Sequence, residues 1–217
     1  FRSSDNGATW VSKSVGLTNL LGGGILKVGT RLFYVGPTGV FMSTDQGDNW
    51  SAAGLSTTDV RSIAAINDTL FVGTNGAGIY KSVDFGANWV AINNGLNGAL
   101  NFRAMESKGN TLFAGGPTGT GVFRSLDFGA NWTLLGGGLA SGSYRGFASN
   151  SQLIVAGSFG LGVFYSTDNG DNWTTINTGL TDLTIFDLEL NDKYIIAATD
   201  TQGVFRFPLS GLNLPTG

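Results

Sequence analysis

The stretch that decides the fold is Gly162-Val163-Phe164-Tyr165-Ser166-Thr167-Asp168-Asn169-Gly170-Asp171-Asn172-Trp173. Close copies of it span residues 39–50, 78–89 and 121–132, and a shortened copy opens the chain at residues 1–10. All five copies end in the pattern Ser-x-Asp-x-Gly-x-x-Trp, and the five Trp residues of the chain lie 39 to 43 residues apart. The chain is therefore built from one repeated unit of about 40 residues.

The repeated box has side chains suited to a tight hairpin. Asp can accept hydrogen bonds from the backbone of its own turn, Gly can adopt a positive φ, and Trp can bury a large ring between sheets. The boxes span residues 3–10, 43–50, 82–89, 125–132 and 166–173. We predict a structural role for their Ser, Asp, Gly and Trp residues, which are Ser3, Asp5, Gly7, Trp10, Ser43, Asp45, Gly47, Trp50, Ser82, Asp84, Gly86, Trp89, Ser125, Asp127, Gly129, Trp132, Ser166, Asp168, Gly170 and Trp173.

Each repeat reads as four short strands. In one repeat these are residues 60–66, 69–73, 78–82 and 88–92, which are rich in β-branched and aromatic residues and are separated by Gly and Asn. The chain has 35 Gly and only 12% charged residues, as expected of short strands joined by tight turns. We predict an all-β fold, a β-propeller of four-stranded antiparallel blades, with five blades in residues 1–207.

The two ends of the chain suggest how such a ring could close. Residues 184–207 supply three strands of a last blade, and residues 10–14 could add the fourth, which would remove two open sheet edges. The alternative is a fragment of a six- to eight-bladed propeller, because Phe1-Arg2 and Phe205-Arg206 both match the third strand. Residues 208–217 are expected to be a C-terminal tail, or a linker to a sorting region.

The Ser-x-Asp-x-Gly-x-x-Trp box resembles the Asp box, or BNR repeat, of sialidases, sortilin-type receptors and the propellers that assist photosystem II assembly. The resemblance covers essentially the whole chain. It implies that each box forms the hairpin between the third and fourth strands of a blade, on the rim away from the ligand face. It also implies a secreted or cell-surface protein, and the absence of Cys fits an exported bacterial protein.

Composition excludes several function classes. The net charge of −3 and the pI near 4.7 provide no basic surface for nucleic acid. The sequence has no Cys and no His, so it has no Ser-His-Asp triad, no thiol nucleophile and no ordinary zinc site. Apolar runs such as residues 194–198 are far shorter than a membrane span of about 18 residues. We predict no cofactor and no membrane span.

Sialidase chemistry does not fit the residues present. Sialidase activity would require an arginine triad, a Tyr paired with Glu as nucleophile, an Asp that acts as acid/base, and a Phe-Arg-Ile-Pro motif. In this sequence Phe1-Arg2 is followed by two Ser residues, so the motif is not present there. Another glycosidase could still use a pair of carboxylates. The acidic residues outside boxes and turns are Asp59, Asp182, Asp187, Asp200, Glu106 and Glu189. Three of them, Asp59, Asp182 and Asp200, are expected in loops on the ligand face, where they are equally well explained as solvated loop residues.

Two boxes are oxygen-rich enough to consider calcium. They are residues 45–49, with two Asp and one Asn, and residues 168–172, with two Asp and two Asn. The Gly is misplaced for an EF-hand, no bidentate Glu follows, and the other three boxes have Ala in place of the second Asp. Hydrogen bonding within the turn is the better explanation, and we predict no metal site.

Three Arg residues occupy matching points of successive repeats, at the start of the first strand. Arg61, Arg103 and Arg145 each follow an apolar residue, and in propellers this strand lines the central channel and begins at the ligand face. Their guanidinium groups could converge on a carboxylate, sulfate or phosphate. Alternatively, each Arg pairs with a nearby carboxylate or carbonyl group and fixes loop geometry. Tyr144 and Phe159 are the aromatic residues expected to meet a sugar ring.

The sequence therefore predicts a non-catalytic binding or scaffold module that presents a propeller face to a protein or glycan partner. A lectin-like glycan-binding propeller and a sialidase-like glycoside hydrolase with an unrecognised carboxylate pair are the alternatives. The sequence does not indicate the ligand or the oligomeric state.

Overall fold

The computed structural model describes residues 1–212 and 214, and in them the chain folds into five antiparallel β-sheets. Each sheet is formed by one continuous stretch of chain, in the strand order of the sequence, as the repeat predicts. The fold is an all-β propeller with five blades, which confirms the predicted fold class. Apart from a short 3₁₀ turn at Leu209–Gly211, the described residues contain no helix.

The blades follow one another along the chain, and each begins with its innermost strand. Blade one contains β1 (Gly24–Val28), β2 (Arg31–Gly36), β3 (Gly39–Ser43) and β4 (Ser51–Ala52). Blade two contains β5 (Val60–Ile66), β6 (Thr69–Thr74), β7 (Ile79–Ser82) and β8 (Val90–Ala91). Blade three contains β9 (Ala104–Lys108), β10 (Thr111–Gly115), β11 (Val122–Ser125) and β12 (Thr133–Leu134). Blade four contains β13 (Ser143–Ser149), β14 (Ile154–Phe159), β15 (Gly162–Ser166) and β16 (Thr174–Thr175). Blade five contains β17 (Ile185–Leu190), β18 (Tyr194–Thr199) and β19 (Val204–Pro208).

The hydrophobic core lies between the blades. The second strands of blades two, three and four are almost entirely buried because neighbouring blades cover both faces of each sheet. Phe33, Phe71 and Phe113 occupy the same point of the second strand in blades one to three, and each is 0% exposed. Continuous apolar sequence in the second strand is thus what stacks the blades against one another.

The inner strands define the two ends of the propeller. Strands β5, β9, β13 and β17 pack side by side, each against the next. We call the end where these strands begin the mouth. The opposite end, which holds the hairpins between third and fourth strands, is the box end.

The predicted pairing of residues 10–14 with the last blade is wrong. The sheet of blade five has three strands, and β19 is its edge. The N-terminal segment instead pairs with itself, through two backbone bonds between Arg2 and Val11 of 2.8 and 2.9 Å, and packs on blade one, where Trp50 Nε1 donates to Lys13 O at 2.9 Å. The backbone groups of Arg2 and Val11 are therefore already bonded to each other within a local hairpin. The alternative of a larger propeller stays a prediction.

The residues after β19 contact blade five. Leu209 and Leu212 are buried in its core, and Leu209 N donates to Lys193 O at 2.8 Å. Residues 213 and 215–217, part of the predicted tail or linker, lie outside the described residues. Over the described part of the chain, no helix has the length and apolar character needed to cross a membrane.

Candidate binding site at the propeller mouth

The Asp boxes form closed networks of hydrogen bonds at the box end. In the box of blade four, Ser166 Oγ donates to Asp168 Oδ1 at 2.8 Å, and Gly170 N donates to Ser166 Oγ at 2.8 Å. Asn172 donates to the same carboxylate through its backbone N and its side-chain Nδ2. Asn169 and Gly170 have φ of 59° and 90°, a turn that Asn and Gly tolerate. The same bonds from Ser and Gly recur in the other four boxes.

The bonds to the box carboxylates hold their pKa values low. In the box of blade one, hydrogen bonds from the backbone and side chain of Asn49 and from Ser43 lower the pKa of Asp45 to about 2. This carboxylate is therefore ionised over the physiological range and is fully engaged within its turn. Such a group can act neither as a proton donor nor as a free ligand.

The box Trp side chains join neighbouring blades. Trp132 Nε1 donates to Ile92 O of blade two at 2.8 Å, and Trp89 Nε1 donates to Ala53 O of blade one at 2.8 Å. Trp132 is 3% exposed, whereas Trp10 of the N-terminal box is 62% exposed. The box Trp is thus a contact between blades wherever a preceding blade is present.

The second Asp of the two oxygen-rich boxes forms an ion pair with the preceding repeat. Arg124 Nη1 lies 2.7 Å from Asp171 Oδ1 and also donates to Asn169 O at 2.7 Å. Arg2 contacts Asp48 and Gln46 O in the same way. This geometry explains why two boxes have Asp at this position, and it leaves these oxygens bound to guanidinium groups.

The three predicted Arg residues do share one structural position at the mouth. Arg61 and Arg145 are the extra residues of β-bulges at the start of β5 and β13, and Arg103 directly precedes β9, where its N donates to Gly115 O at 2.8 Å. A bulge turns its side chain out of the regular alternation of the strand. In blade five the same bulge position holds Phe186.

Arg61 forms an ion pair within its own blade. Its Nη2 lies 2.5 Å from Asp59 Oδ2, and Asn75 Nδ2 donates to the same oxygen at 3.1 Å. This arrangement fits the alternative considered for the Arg residues, in which the charge fixes a loop.

Arg145 lies against two exposed phenyl rings. Its guanidinium carbon is 4.0 Å from the ring centre of Phe159 and 5.6 Å from that of Phe186. The two rings meet edge to face, with centres 6.0 Å apart, and are 42% and 43% exposed. Arg103 is exposed nearby, and we call Arg103, Arg145, Phe159 and Phe186 the mouth patch.

Arg103 and Arg145 lie where the neighbouring inner strands β9 and β13 begin, and these two strands pack against each other. Desolvation lowers the pKa of Arg145, the charge of Arg103 lowers it further, and Asp200 opposes both effects. Within the described part of the chain, neither Arg103 nor Arg145 has a carboxylate within ion-pair distance. Two of the three predicted Arg residues are thus brought together, and the third is neutralised.

Tyr144, which was predicted to contact a sugar ring, is buried and cannot reach a ligand. Its side chain is 0% exposed, its ring packs against Phe164, and its hydroxyl donates to Ala140 O at 2.8 Å. The equivalent residues of the other inner strands, Val60, Phe102 and Ile185, are also 0% exposed. The position before the bulge is a core position, so the aromatic side chain there packs inward.

Phe186 was not among the predicted site residues. The sequence feature that could have found it is its alignment with Arg61, Arg103 and Arg145 in the fifth repeat, where it also follows an apolar residue. Because the prediction followed Arg rather than the position, it overlooked the residue that completes the patch.

The candidate acids for a hydrolase are held in different ways. Asp182 accepts bonds from Thr184 N, Thr201 N and Thr201 Oγ1, which lower its pKa. Glu106 lies in the wall of inner strands, where burial raises its pKa to about 7 even though Ser149 Oγ donates to it at 2.8 Å. Asp182 is thus held within a turn, and Glu106 is a partly buried group in the wall of inner strands.

Comparison with known proteins agrees with this description. A family model described as BNR/Asp-box repeat matches residues 164–175, which include the whole box of blade four. The match identifies the box of blade four as a BNR/Asp-box repeat, and its position in a five-bladed sheet arrangement is consistent with a BNR-type β-propeller. No curated protein matches its sequence.

Solved structures of other propellers are similar to this chain. An ancestral GH74 enzyme has a TM-score of 0.75 at 16% identity, over 93% of this chain and 33% of the enzyme. The extracellular domain of the putative one component system BT4673 from B. thetaiotaomicron has a TM-score of 0.72 at 15% identity, over 93% of this chain and 28% of that one. YCF48 bound to D1 peptide has a TM-score of 0.64 at 16% identity, over 93% of this chain and 72% of YCF48. The chain spans about a third of the GH74 enzyme, and at these identities the likeness concerns the fold.

Proposed function

We propose that this propeller is a non-catalytic binding module that presents its mouth to a protein partner, as part of a secreted or cell-surface protein. The observation that carries the proposal is the mouth patch, in which Arg145 stacks on Phe159 beside the exposed ring of Phe186. Arg and aromatic residues are enriched among the residues that dominate protein interfaces. Burying exposed phenyl rings against a partner is favourable by about 25 cal/mol per Å² of apolar surface.

A difference between the side chains at the two ends of the propeller supports the proposal. At the box end, the Asp and Trp side chains are used in hydrogen bonds within and between blades, such as Trp132 to Ile92 O. At the mouth, two Phe rings remain more than two fifths exposed, and Arg103 and Arg145 have no carboxylate partner among the described residues. Among the similar structures, YCF48 was solved with a bound peptide and BT4673 as an extracellular domain, and both fit the proposed role.

The proposal is tested by selecting peptides from a random display library on the immobilised protein. The selection is repeated on a variant with Phe186→Ala and Arg103→Gln, two exposed positions whose replacement leaves the blade cores intact. We expect the selected peptides to bind the native protein and to lose at least about tenfold in affinity for the variant, about 1.4 kcal/mol. Peptides that bind both proteins equally, or turnover of a panel of chromogenic glycosides by the native protein, would contradict the proposal.

A further inference from the structure

The mouth patch combines two unpaired cations with an apolar corner, and this combination defines a ligand. We propose that it binds a peptide segment that carries a carboxylate next to an apolar side chain, with the carboxylate between Arg103 and Arg145 and the apolar group against Phe186. This inference rests on the proposed binding function and names the chemistry of the partner.

The cationic half of the patch is formed by Arg103 and Arg145. Both Arg145 and Arg61 have a buried Nε without a hydrogen-bond partner among the described residues, so the two differ in their ion pairs and not at this atom. Arg103 and Arg145 stand at matching positions where β9 and β13 begin, and these strands pack against each other, so a carboxylate between the two side chains could accept bonds from both. The contrast with Arg61 is informative, because the chain itself supplies Asp59 to that Arg at 2.5 Å.

The apolar half of the patch is a corner. The rings of Phe159 and Phe186 meet at 77° with centres 6.0 Å apart, and both are more than two fifths exposed. The face of Phe159 is occupied by Arg145 at 4.0 Å, so Phe186 presents the freer ring. A side chain placed in the corner would contact a second apolar surface and still lie beside the guanidinium group.

The same details favour a peptide over an acidic glycan. A sugar ring stacks on an open, flat aromatic face and needs polar groups for its hydroxyls. Here one ring is covered by Arg145, the other stands at 77° to it, and neither Phe carries a hydrogen-bonding group. An apolar side chain beside a carboxylate uses both halves of the patch without leaving hydroxyl groups unpaired.

The acidic residues near the patch limit how much negative charge it accepts. Asp200 acts on Arg145 from nearby, and Asp187 follows Phe186 in the same bulge. Asp182 is turned into its own loop by Thr184 and Thr201. The site therefore suits one carboxylate rather than a polyanion, and we expect Asp200→Asn to strengthen anion binding by about twofold or more because it removes a repulsive charge.

The test uses two matched probes, N-acetyl-phenylalanine and its neutral amide, N-acetyl-phenylalaninamide. Binding is followed by NMR through the Nε–Hε signals of the Arg side chains and the backbone signals around Phe186. We expect the acid to shift the Arg145 and Arg103 signals and to bind at least about fivefold more tightly than the amide, with an affinity that falls as salt is added. Phe186→Ala and Arg103→Gln should each weaken binding of the acid at least about fivefold.

The control variant is Arg61→Gln, which changes the same bulge position in blade two but removes an Arg already paired with Asp59. It should leave binding of the acid unchanged. Equal binding of acid and amide at the patch would overturn the carboxylate assignment and leave the binding function standing. Failure of both probes, together with failure of the peptide selection, would overturn both. If tri-galacturonate shifts the same Arg signals and the acid probe does not, the peptide assignment is wrong.

Discussion

Replacing Glu106 with Gln should stabilise the protein at alkaline pH. Glu106 lies on β9, bonded to Ser149 across the contact between blades three and four. Its pKa is raised from 4.5 to about 7. Burial is the main cause of this rise, the hydrogen bond from Ser149 opposes it, and the charge of Glu189 adds to it. Because the folded protein holds this proton more tightly than the unfolded chain does, ionisation of Glu106 opposes folding.

The magnitude follows from how far the pKa of Glu106 is raised. Below about pH 4.5 the carboxyl is protonated in both states and costs nothing, and between pH 4.5 and 7 stability falls as the unfolded chain ionises first. Raising a pKa by one corresponds to about 1.4 kcal/mol, so the full penalty above pH 7 is at most on the order of 3 kcal/mol. Since Glu106 is only partly buried, solvent screening reduces this figure, and we expect roughly 1 to 3 kcal/mol.

The assay is denaturant unfolding of native protein and Glu106→Gln at about pH 4.5, 6 and 8.5. The two proteins should have similar free energies of unfolding at the lowest pH, and the variant should be the more stable one at the highest. Asp68→Asn, at an exposed turn, is the matched control for removal of one negative charge and should follow the native pH profile. If the difference between native protein and Glu106→Gln stays constant over this pH range, the reasoning about burial is refuted.

Three further predictions concern the box end. Trp132→Ala should lower the free energy of unfolding by roughly 3 to 5 kcal/mol, because the ring is 3% exposed. Trp10→Ala, at a ring that is 62% exposed, should stay within about 0.5 kcal/mol, and equal losses for the two would argue against the box Trp as a contact between blades. The Asp45 carboxyl should titrate with a pKa of about 2 when it is followed by NMR. Its contribution to stability is then present above about pH 4 and is lost as the pH falls through about 2. A titration midpoint near 4 would mean that the hydrogen bonds of the turn do not form. A double-mutant cycle of Arg124→Gln and Asp171→Asn should give a coupling of about 0.5 to 1 kcal/mol, and additive effects would rule out the pairing between blades.

The architecture could be predicted because each blade is encoded locally. The hydrogen bonds made by the Ser166 hydroxyl and the Asp168 carboxylate join residues that are at most four positions apart, so this turn forms wherever its sequence occurs. The boundaries of β5 and the register of the second strands follow from the same repetition. Ring closure could not be predicted in this way, because matching unpaired edges do not specify which edges meet. The local pairing of Arg2 with Val11 takes precedence over a distant one.

The candidate site was predicted only in part. The shared position of Arg103 and Arg145 follows from the repeat, and the structure adds the bulge at Arg145 and the matching position of Arg103 just before β9. The pairing of Arg61 with Asp59 joins residues only two positions apart, yet the sequence left open whether these charges would meet. The contact between Phe159 and Phe186 depends on how blade four packs against blade five, which no spacing in the sequence specifies.

The most direct test of the account compares one variant at each end of the propeller in the same two assays. Phe186→Ala and Trp132→Ala are measured for free energy of unfolding and for binding of a peptide selected on the native protein. We predict that Phe186→Ala stays within about 0.5 kcal/mol of native stability and loses peptide binding, while Trp132→Ala loses roughly 3 to 5 kcal/mol and binds normally under conditions where it is folded. Loss of binding in folded Trp132→Ala with unchanged binding in Phe186→Ala would contradict the assignment of structure to the box end and of binding to the mouth.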